Sequence, residues 1–338
     1  MLDILESVSR WLQQGHQVSL ATVVQTWGSA PRAAGSKMAV TQDMALVGSV
    51  SGGCVEGAVV ESALEGLEDR QPRMLTFGVS DDEAWDVGLT CGGRMSVFVE
   101  PLDVKWWAQL APHLQAHRPA TTLTLLEGED AGSKVLIGPD GSVEYHSEGL
   151  GPEAARTLAQ AAGARSGRME HGGHALLVDR HEPGPRLIII GGVHVAMPLQ
   201  AFARALGFRV ALIDPRKVFA THERFPEVEV ILHSYPDAAL QQLGLDSNSY
   251  LAVLTHDPKI DDPALLTALP GPAPYVGVLS SRRTHKQRLK RLHAAGLTRA
   301  QTDRIRTPIG LEIASRTPEE IALGIMAEIV SVRNGADA

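Results

Sequence analysis

The last 150 residues or so of this chain repeat one pattern, and that pattern admits few folds. Short apolar runs alternate with stretches of helical spacing: Leu187 to Ile190, then Met197 to Leu206; Arg209 to Ile213; Val228 to Leu232, then Pro236 to Leu243; Leu251 to Leu254, then Pro263 to Leu269; Val276 to Leu279, then Thr284 to Ala295. Strands separated by helices run parallel, with the helices crossing over the sheet faces. The pattern predicts a doubly wound parallel sheet. Thr317-Pro318-Glu319-Glu320 then starts a terminal helix, with Thr as N-cap, Pro at the first helical position and Glu320 completing a capping box.

The first of these strands runs into Gly191-Gly192-Val193-His194-Val195-Ala196, and Asp214 ends the next strand 23 residues after Gly191. This resembles the dinucleotide fingerprint of Rossmann-like domains. Val193 replaces the second glycine, however, and its side chain crowds the place of a pyrophosphate. Usual NAD(P) binding is therefore not expected, and an NAD(P)-dependent oxidoreductase is the runner-up reading. A helix N-terminus still attracts anions. At the same carboxyl edge, Ser281, Arg282 and Arg283 offer hydroxyl and guanidinium groups suited to a phosphate. Gly191, Gly192, His194, Asp214, Ser281, Arg282 and Arg283 are thus candidate ligand contacts. Each has a plainer alternative: Asp214 stops a strand and caps a turn, and Ser281 caps a solvated helix. Lys286, Arg288, Lys290 and Arg291 continue that helix as a solvated or partner-facing surface.

Before the best linker, His181 to Pro185, the pattern is mixed. Strands are expected at Val18 to Val24, Lys37 to Val40, Leu46 to Val50, Met95 to Glu100, Thr121 to Leu126 and His174 to Asp179. Helices are expected at the N-terminus, with Ile4, Leu5, Val8, Trp11 and Leu12 on one face, at Val55 to Leu67 and at Pro152 to Ala162. The organisation expected is a mixed α/β domain over 1–183 and a Rossmann-like domain over 184–338. A net charge of -8 and a sequence pI near 5.9 argue against a general nucleic-acid or membrane binder. No run of 18 apolar residues appears, and the start lacks a basic, apolar leader, so a cytoplasmic location is expected. His113 and His117 have zinc-helix spacing without the glutamate of that motif, and read as solvated.

The two cysteines each sit beside a glycine pair, in Ser51-Gly52-Gly53-Cys54-Val55-Glu56 and Gly88-Leu89-Thr90-Cys91-Gly92-Gly93. Glycine lets backbone bend tightly and a ligand come close. Cys54 falls at a strand-to-helix junction, where free amides and the helix dipole favour a thiolate. Such a sulfur serves as nucleophile, sulfur carrier or soft metal ligand; packing as a small hydrophobe is the alternative.

These segments, with Gly28-Ser29-Ala30-Pro31-Arg32 and Gly35-Ser36-Lys37-Met38, are similar to the N-terminal motifs of the XdhC/CoxI family. Gly191 to Ala196, Asp214-Pro215-Arg216, Ser280-Ser281-Arg282-Arg283 and Ile309-Gly310-Leu311-Glu312-Ile313 agree with its second half. The chain departs from the family at Ser51, Val193 and Ser280, where glycine is usual. The resemblance implies a xanthine dehydrogenase accessory protein. Such a protein binds molybdenum cofactor, supports its sulfuration with a cysteine desulfurase, and helps insert it into xanthine dehydrogenase or a related molybdenum hydroxylase. It also implies a homodimer. By resemblance, Cys54 and Cys91 contact the cofactor and its metal, with Gly52, Gly53, Gly92 and Gly93 shaping their loops and Glu56 orienting the first. Arg32 and Lys37 read equally as positive charges for the cofactor or as surface charges. A pure scaffold for the partner enzymes is a third reading.

Overall fold

The computed structural model describes residues 1–28, 32–78, 93–163 and 165–336, with Arg282 by its backbone alone. In the unit Met1–Pro183, α1 (Leu2–Gln13), β1 (Val18–Trp27), β2 (Lys37–Thr41), β3 (Leu46–Gly48), α2 (Glu56–Asp69), β4 (Arg73–Phe77) and β5 (Arg94–Pro101) come first. There follow α3 (Val104–Gln115), β6 (Ala120–Leu125), β7 (Lys134–Ile137), β8 (Val143–His146), α4 (Pro152–Ala161), β9 (Gly167–His171) and β10 (His174–His181). The strands form two five-stranded sheets, ordered β3-β2-β1-β5-β4 and β8-β7-β6-β10-β9. All their pairings are antiparallel.

Alternation along the strands sets the layers. Ala21 and Val23 of β1 pack with Val59 and Ala63 of α2. Val24 and Phe98 meet Leu126, Ala175 and Leu177 of the second sheet. That sheet turns Leu123, Leu125, Leu176 and Val178 to α4. The α1 face predicted from spacing is the one that packs, with Ile4 and Val8 against Trp106, Trp107 and Leu110 of α3. His113 departs from expectation. It is 3% exposed and bonds Glu144 at 2.5 Å, because α3 turns this residue inward toward β8.

The unit Gly184–Ala338 contains β11 (Arg186–Ile190), α5 (Ala196–Ala205), β12 (Arg209–Ile213), β13 (Val230–Leu232), α6 (Pro236–Leu243), β14 (Ser249–Val253), α7 (Pro258–Ala268) and β15 (Tyr275–Val278). It ends with α8 (Arg282–Ala294), α9 (Arg299–Thr302), β16 (Ile305–Arg306) and α10 (Pro318–Arg333). The six strands run parallel in the order β13-β12-β11-β14-β15-β16, which is the doubly wound dinucleotide-domain order. Leu187 and Ile189 face the core made with α5 and α10. Ile188 and Ile190 face the core made with α6 and α7. Both sheet faces are therefore covered, which is why these strands read as continuous apolar runs. The capping box of Thr317 and Glu320 is formed.

Between the two antiparallel sheets lies a buried polar seam. Lys37 on β2 is 3% exposed and pairs with Asp179 of β10 at 2.7 Å while donating to Thr22 at 3.2 Å. Lys134 pairs with Glu100 at 2.7 Å, donates to Thr124 at 3.0 Å and sits 4.8 Å from the Trp106 ring centre. Thr122 links the Trp106 Nε1–H (3.2 Å) to His181 Nε2 (3.1 Å). Burial pushes the Asp179 carboxyl up, but Lys37 outweighs it and holds the group below the usual carboxylate range. Burial dominates at His181 and pushes it down to about 4.

A histidine kept neutral when folded binds a proton when unfolded, so stability falls as pH drops through the interval between its two pKa values. From about pH 6.5 to about pH 4.5 His181 alone removes on the order of 2 to 3 kcal/mol. Urea midpoints at about pH 7 and about pH 4.5 check this. The His181→Gln variant loses less stability on acidification than the parent chain; parallel losses exclude the buried neutral histidine as the cause.

Candidate functional site

Cys54 stands on a loop built around one carboxylate. The chain leaves β3, turns through Ser49 to Val55, and enters α2 at Glu56. The Glu56 side chain folds back over the turn just passed. Its Oε1 accepts from Ser49 Oγ (2.9 Å), Ser51 N–H (2.9 Å) and Gly52 N–H (3.0 Å). Its Oε2 accepts from Gly53 N–H (2.8 Å) and from Ser51 Oγ. Burial pushes its pKa up, but these hydrogen bonds outweigh it and hold the carboxyl well below the usual range. Gly52 and Gly53 both have φ +122°, a conformation that side chains other than hydrogen resist. With both glycines, three successive amides can turn toward one acid.

The amides of the turn before the thiol are engaged by the clamp. The amides of Ser51, Gly52 and Gly53 go to Glu56, and the Val55 N–H goes to Ser51 Oγ at 3.4 Å. Cys54 Sγ donates to the same Ser51 Oγ at 3.6 Å. It is half-buried against the Val55–Val59 cluster. The loop thus offers a held, reachable sulfur that follows a turn whose amides are taken by Glu56. Ser49 and Ser51 went unrecognised as part of this clamp; their signal was two hydroxyls within seven residues of Glu56.

The other candidates of this unit fall in different places. Cys91 and Gly92 lie outside the described residues. Gly93 precedes β5, and its Cα lies 3.6 Å from where a Gly28 side chain would begin, so these two glycine segments adjoin. Arg32 is half-buried, 3.8 Å from Asp3, with its Nε unpartnered. Lys37 belongs to the inter-sheet seam, with its ammonium taken by Asp179 and Thr22. Among the described residues no group of three His, Cys, Asp or Glu side chains gathers as a metal site.

In the second unit, the parallel sheet brings Gly191, Asp214, Thr255 and Ser280 to one carboxyl edge. Asp214 is fully buried. One oxygen accepts from the Arg216 N–H and Nε–H, both at 2.9 Å. The other accepts from Gly192 N–H (2.9 Å) and Arg216 Nη2 (2.8 Å). A carboxylate has about four acceptor positions, so none is left for a ribose diol. A side chain on Gly192 would strike the Phe219 carbonyl. Arg224 ties that carbonyl to the Gly192 carbonyl, and Arg216 stacks 4.4 Å from the Phe219 ring centre. The segment after Asp214 therefore folds over the glycine loop, and these residues do not fit a nicotinamide dinucleotide bound through its ribose.

His194 and Arg283 are exposed on this edge, and Ser281 caps α8 through the Thr284 N–H. Arg288 is not a surface group, whereas Arg291 is part-exposed. Arg288 is 1% exposed and pairs with Asp261 (3.0 Å), whose other oxygen accepts from Thr255 (2.5 Å). Arg291 pairs with Asp262 at 2.5 Å. The readable signal was an acid pair on α7 facing two arginines one turn apart on α8.

Comparison with known proteins follows the same division. Residues 11–78 match the model of the XdhC and CoxI family, and residues 187–329 match that of the XdhC Rossmann domain. The chain is 28% identical to the molybdenum cofactor insertion chaperone PaoD of Escherichia coli, covering 98% of this chain and 88% of that one. It is 26% identical to a probable xanthine dehydrogenase subunit of Bacillus subtilis, over 98% and 96%. It is 25% identical to the uncharacterized protein YqeB of Escherichia coli over 99% of this chain, which spans only 47% of YqeB. A crystal structure described as a xanthine dehydrogenase from Bacillus halodurans shares the fold, with TM-score 0.81, 24% identity, and coverage of 98% and 96%. Among the described residues no helix is long and apolar enough to cross a membrane. With a family segment in each unit and whole-chain relatives on both, the chain belongs to the XdhC/CoxI family of xanthine dehydrogenase accessory proteins.

Proposed function

We propose that this protein receives molybdenum cofactor as cargo on its first unit, supports its sulfuration together with a cysteine desulfurase, and passes it to xanthine dehydrogenase or a related molybdenum hydroxylase. The observation that carries this reading is the Glu56 clamp, which presents Cys54 on a rigid, glycine-bordered loop. A soft thiolate suits a molybdenum centre already held by dithiolene sulfur. Cys91 is proposed as a second sulfur ligand, and Arg32 as a charge for the cofactor's phosphate. Lys37 acts at one remove, by holding β2 to the second sheet. The Rossmann-like unit has no nicotinamide role in this reading. Cytoplasmic residence fits a protein that exchanges cargo with soluble enzymes.

Cofactor carried by the purified protein is measured as molybdenum by mass spectrometry and as pterin fluorescence after release. Cys54→Ala lowers retention by roughly ten-fold while stability stays within about 1 kcal/mol of the parent. Glu56→Gln lowers retention and also destabilises by about 1 to 3 kcal/mol, because a carboxamide cannot take all five donors. Full retention in Cys54→Ala, in Cys91→Ala and in the double variant excludes the sulfur role.

Calorimetric titration with millimolar NAD(H) and NADP(H) is expected to give no binding heat. Asp214→Asn is expected to lower stability by about 1 to 3 kcal/mol. Measurable nicotinamide binding that this variant abolishes would restore the oxidoreductase reading.

A further inference from the structure

In the first unit a cleft of about 550 Å³ opens between the end of β1 and the edge strand β9. That volume lies in the range of small-molecule sites. Val24, Gln25 and Ala34 line one side, and Arg168, Met169 and Glu170 the other. The backbone explains the polar walls. The pairing of β1 with β5 shifts register between Val23 and Gln25, and such a bulge bends the strand and re-aims its side chains. Val24 packs toward the second sheet, and Gln25 follows it into the cleft. Trp27, two residues on, shares the face of Gln25 and is 44% exposed. On β9, Arg168 and Glu170 lie opposite Leu177 and Ala175, which face the first sheet. The Gln25 side-chain amide has no protein partner among the described residues. Arg168 is held by Glu127 at 2.9 Å and lies 3.8 Å from Glu170, which keeps that carboxylate at the cleft wall.

We propose that this cleft holds the pterin of the cargo, so that its metal end and its pterin end are recognised by different residues; this rests on the carrier reading above. A pterin is flat, aromatic and polar along one edge. Its 2-amino group and N3–H donate side by side, and its 4-oxo oxygen accepts. A carboxylate takes two such donors at once, which is the part of Glu170. The Gln25 amide donates to the oxo oxygen. The exposed Trp27 ring stacks on the bicycle, as aromatic side chains stack on nucleobases. Val24 and Met169 supply apolar contact. The position agrees with the rest of the site. From the cleft wall β1 runs into Gly28, whose side chain would begin 3.6 Å from the Gly93 Cα. Ala34 leads into β2, where the Lys37 carbonyl accepts from the Ser49 N–H at 3.0 Å, at the root of the Cys54 loop. The cleft and the glycine-bordered loops thus share one end of the first sheet. Guanine presents the same amino and oxo edge, so a guanine nucleotide is the other source of this chemistry.

The test is fluorescence titration of the full chain with 6-hydroxymethylpterin, which carries neither metal nor dithiolene, and with GMP as competitor. The parent chain is expected to bind the pterin, and GMP is expected not to displace it. Trp27→Ala and Glu170→Gln are each expected to weaken binding by roughly ten-fold. Trp27→Phe keeps a stacking face and most of the affinity. Urea midpoints are expected to match that of the parent, because both side chains are exposed. Molybdenum retention is expected to fall in the same two variants. Three results overturn the proposal: a parent chain that does not bind the free pterin, both variants binding it as tightly as the parent, and GMP displacing it at equal concentration. The last assigns the cleft to a guanine nucleotide. Unchanged pterin binding in both variants, with molybdenum retained by the parent, removes this site and leaves the carrier reading intact. Pterin binding weakened in both variants of a parent that carries no molybdenum keeps the site and removes the carrier reading.

Discussion

A carboxylate taken out of water must fill its acceptor positions from its own surroundings, and the Gly52-Gly53 and Gly191-Gly192 loops are both organised by one that does. Glu56 draws three amides and two hydroxyls onto itself. Asp214 draws the Gly192 amide and the Arg216 backbone and guanidinium. In both places glycine lets the backbone turn its N–H groups inward or lets another strand of chain come close. The consequences differ because the acids sit differently. Glu56 lies at the start of α2 and holds the loop from behind, leaving Cys54 half-exposed. Asp214 lies beneath its loop and pulls the following segment over it.

The second unit was the more legible half, since its physics is local. Each parallel strand is buried on both faces, so Leu187 to Ile190 and its neighbours read as unbroken apolar runs, with helices announced by caps such as Thr317 and Ser281. The predicted helix Pro263 to Leu269 begins five residues late because Asp257 and Pro258 supply the true start. In the first unit, strands such as β8 and β9 mix charged and apolar residues in runs of four or five. Nothing in so short a window separates them from loop; only pairing with β7 and β10 defines them.

Charges were the hardest residues to place. Lys37, Lys134 and Arg288 carry no local mark of burial, because each owes it to an acid in a distant segment: Asp179, Glu100 and Asp261. Removing one partner of such a pair leaves an uncompensated buried charge, at a cost of about 3 to 5 kcal/mol. The seam therefore fixes which faces of the two sheets meet, and the loops at their ends inherit that alignment. Glu56 was legible by contrast, since it lies within five residues of the turn it organises.

The occupied amides also bear on what kind of chemistry Cys54 suits. A nucleophilic cysteine at a helix start draws its reactivity from free N–H groups and the dipole. Here Glu56 puts an anion in the first turn of α2 and takes the amides of the preceding turn, Ser51, Gly52 and Gly53. What remains is softness and position, which suit holding a metal more than attacking a carbon. A loop whose donors are satisfied internally also keeps its shape with or without cargo. Binding then needs little ordering of the chain, and release strands no buried polar group. Those are the properties that the proposed role, taking up and surrendering one cofactor, requires.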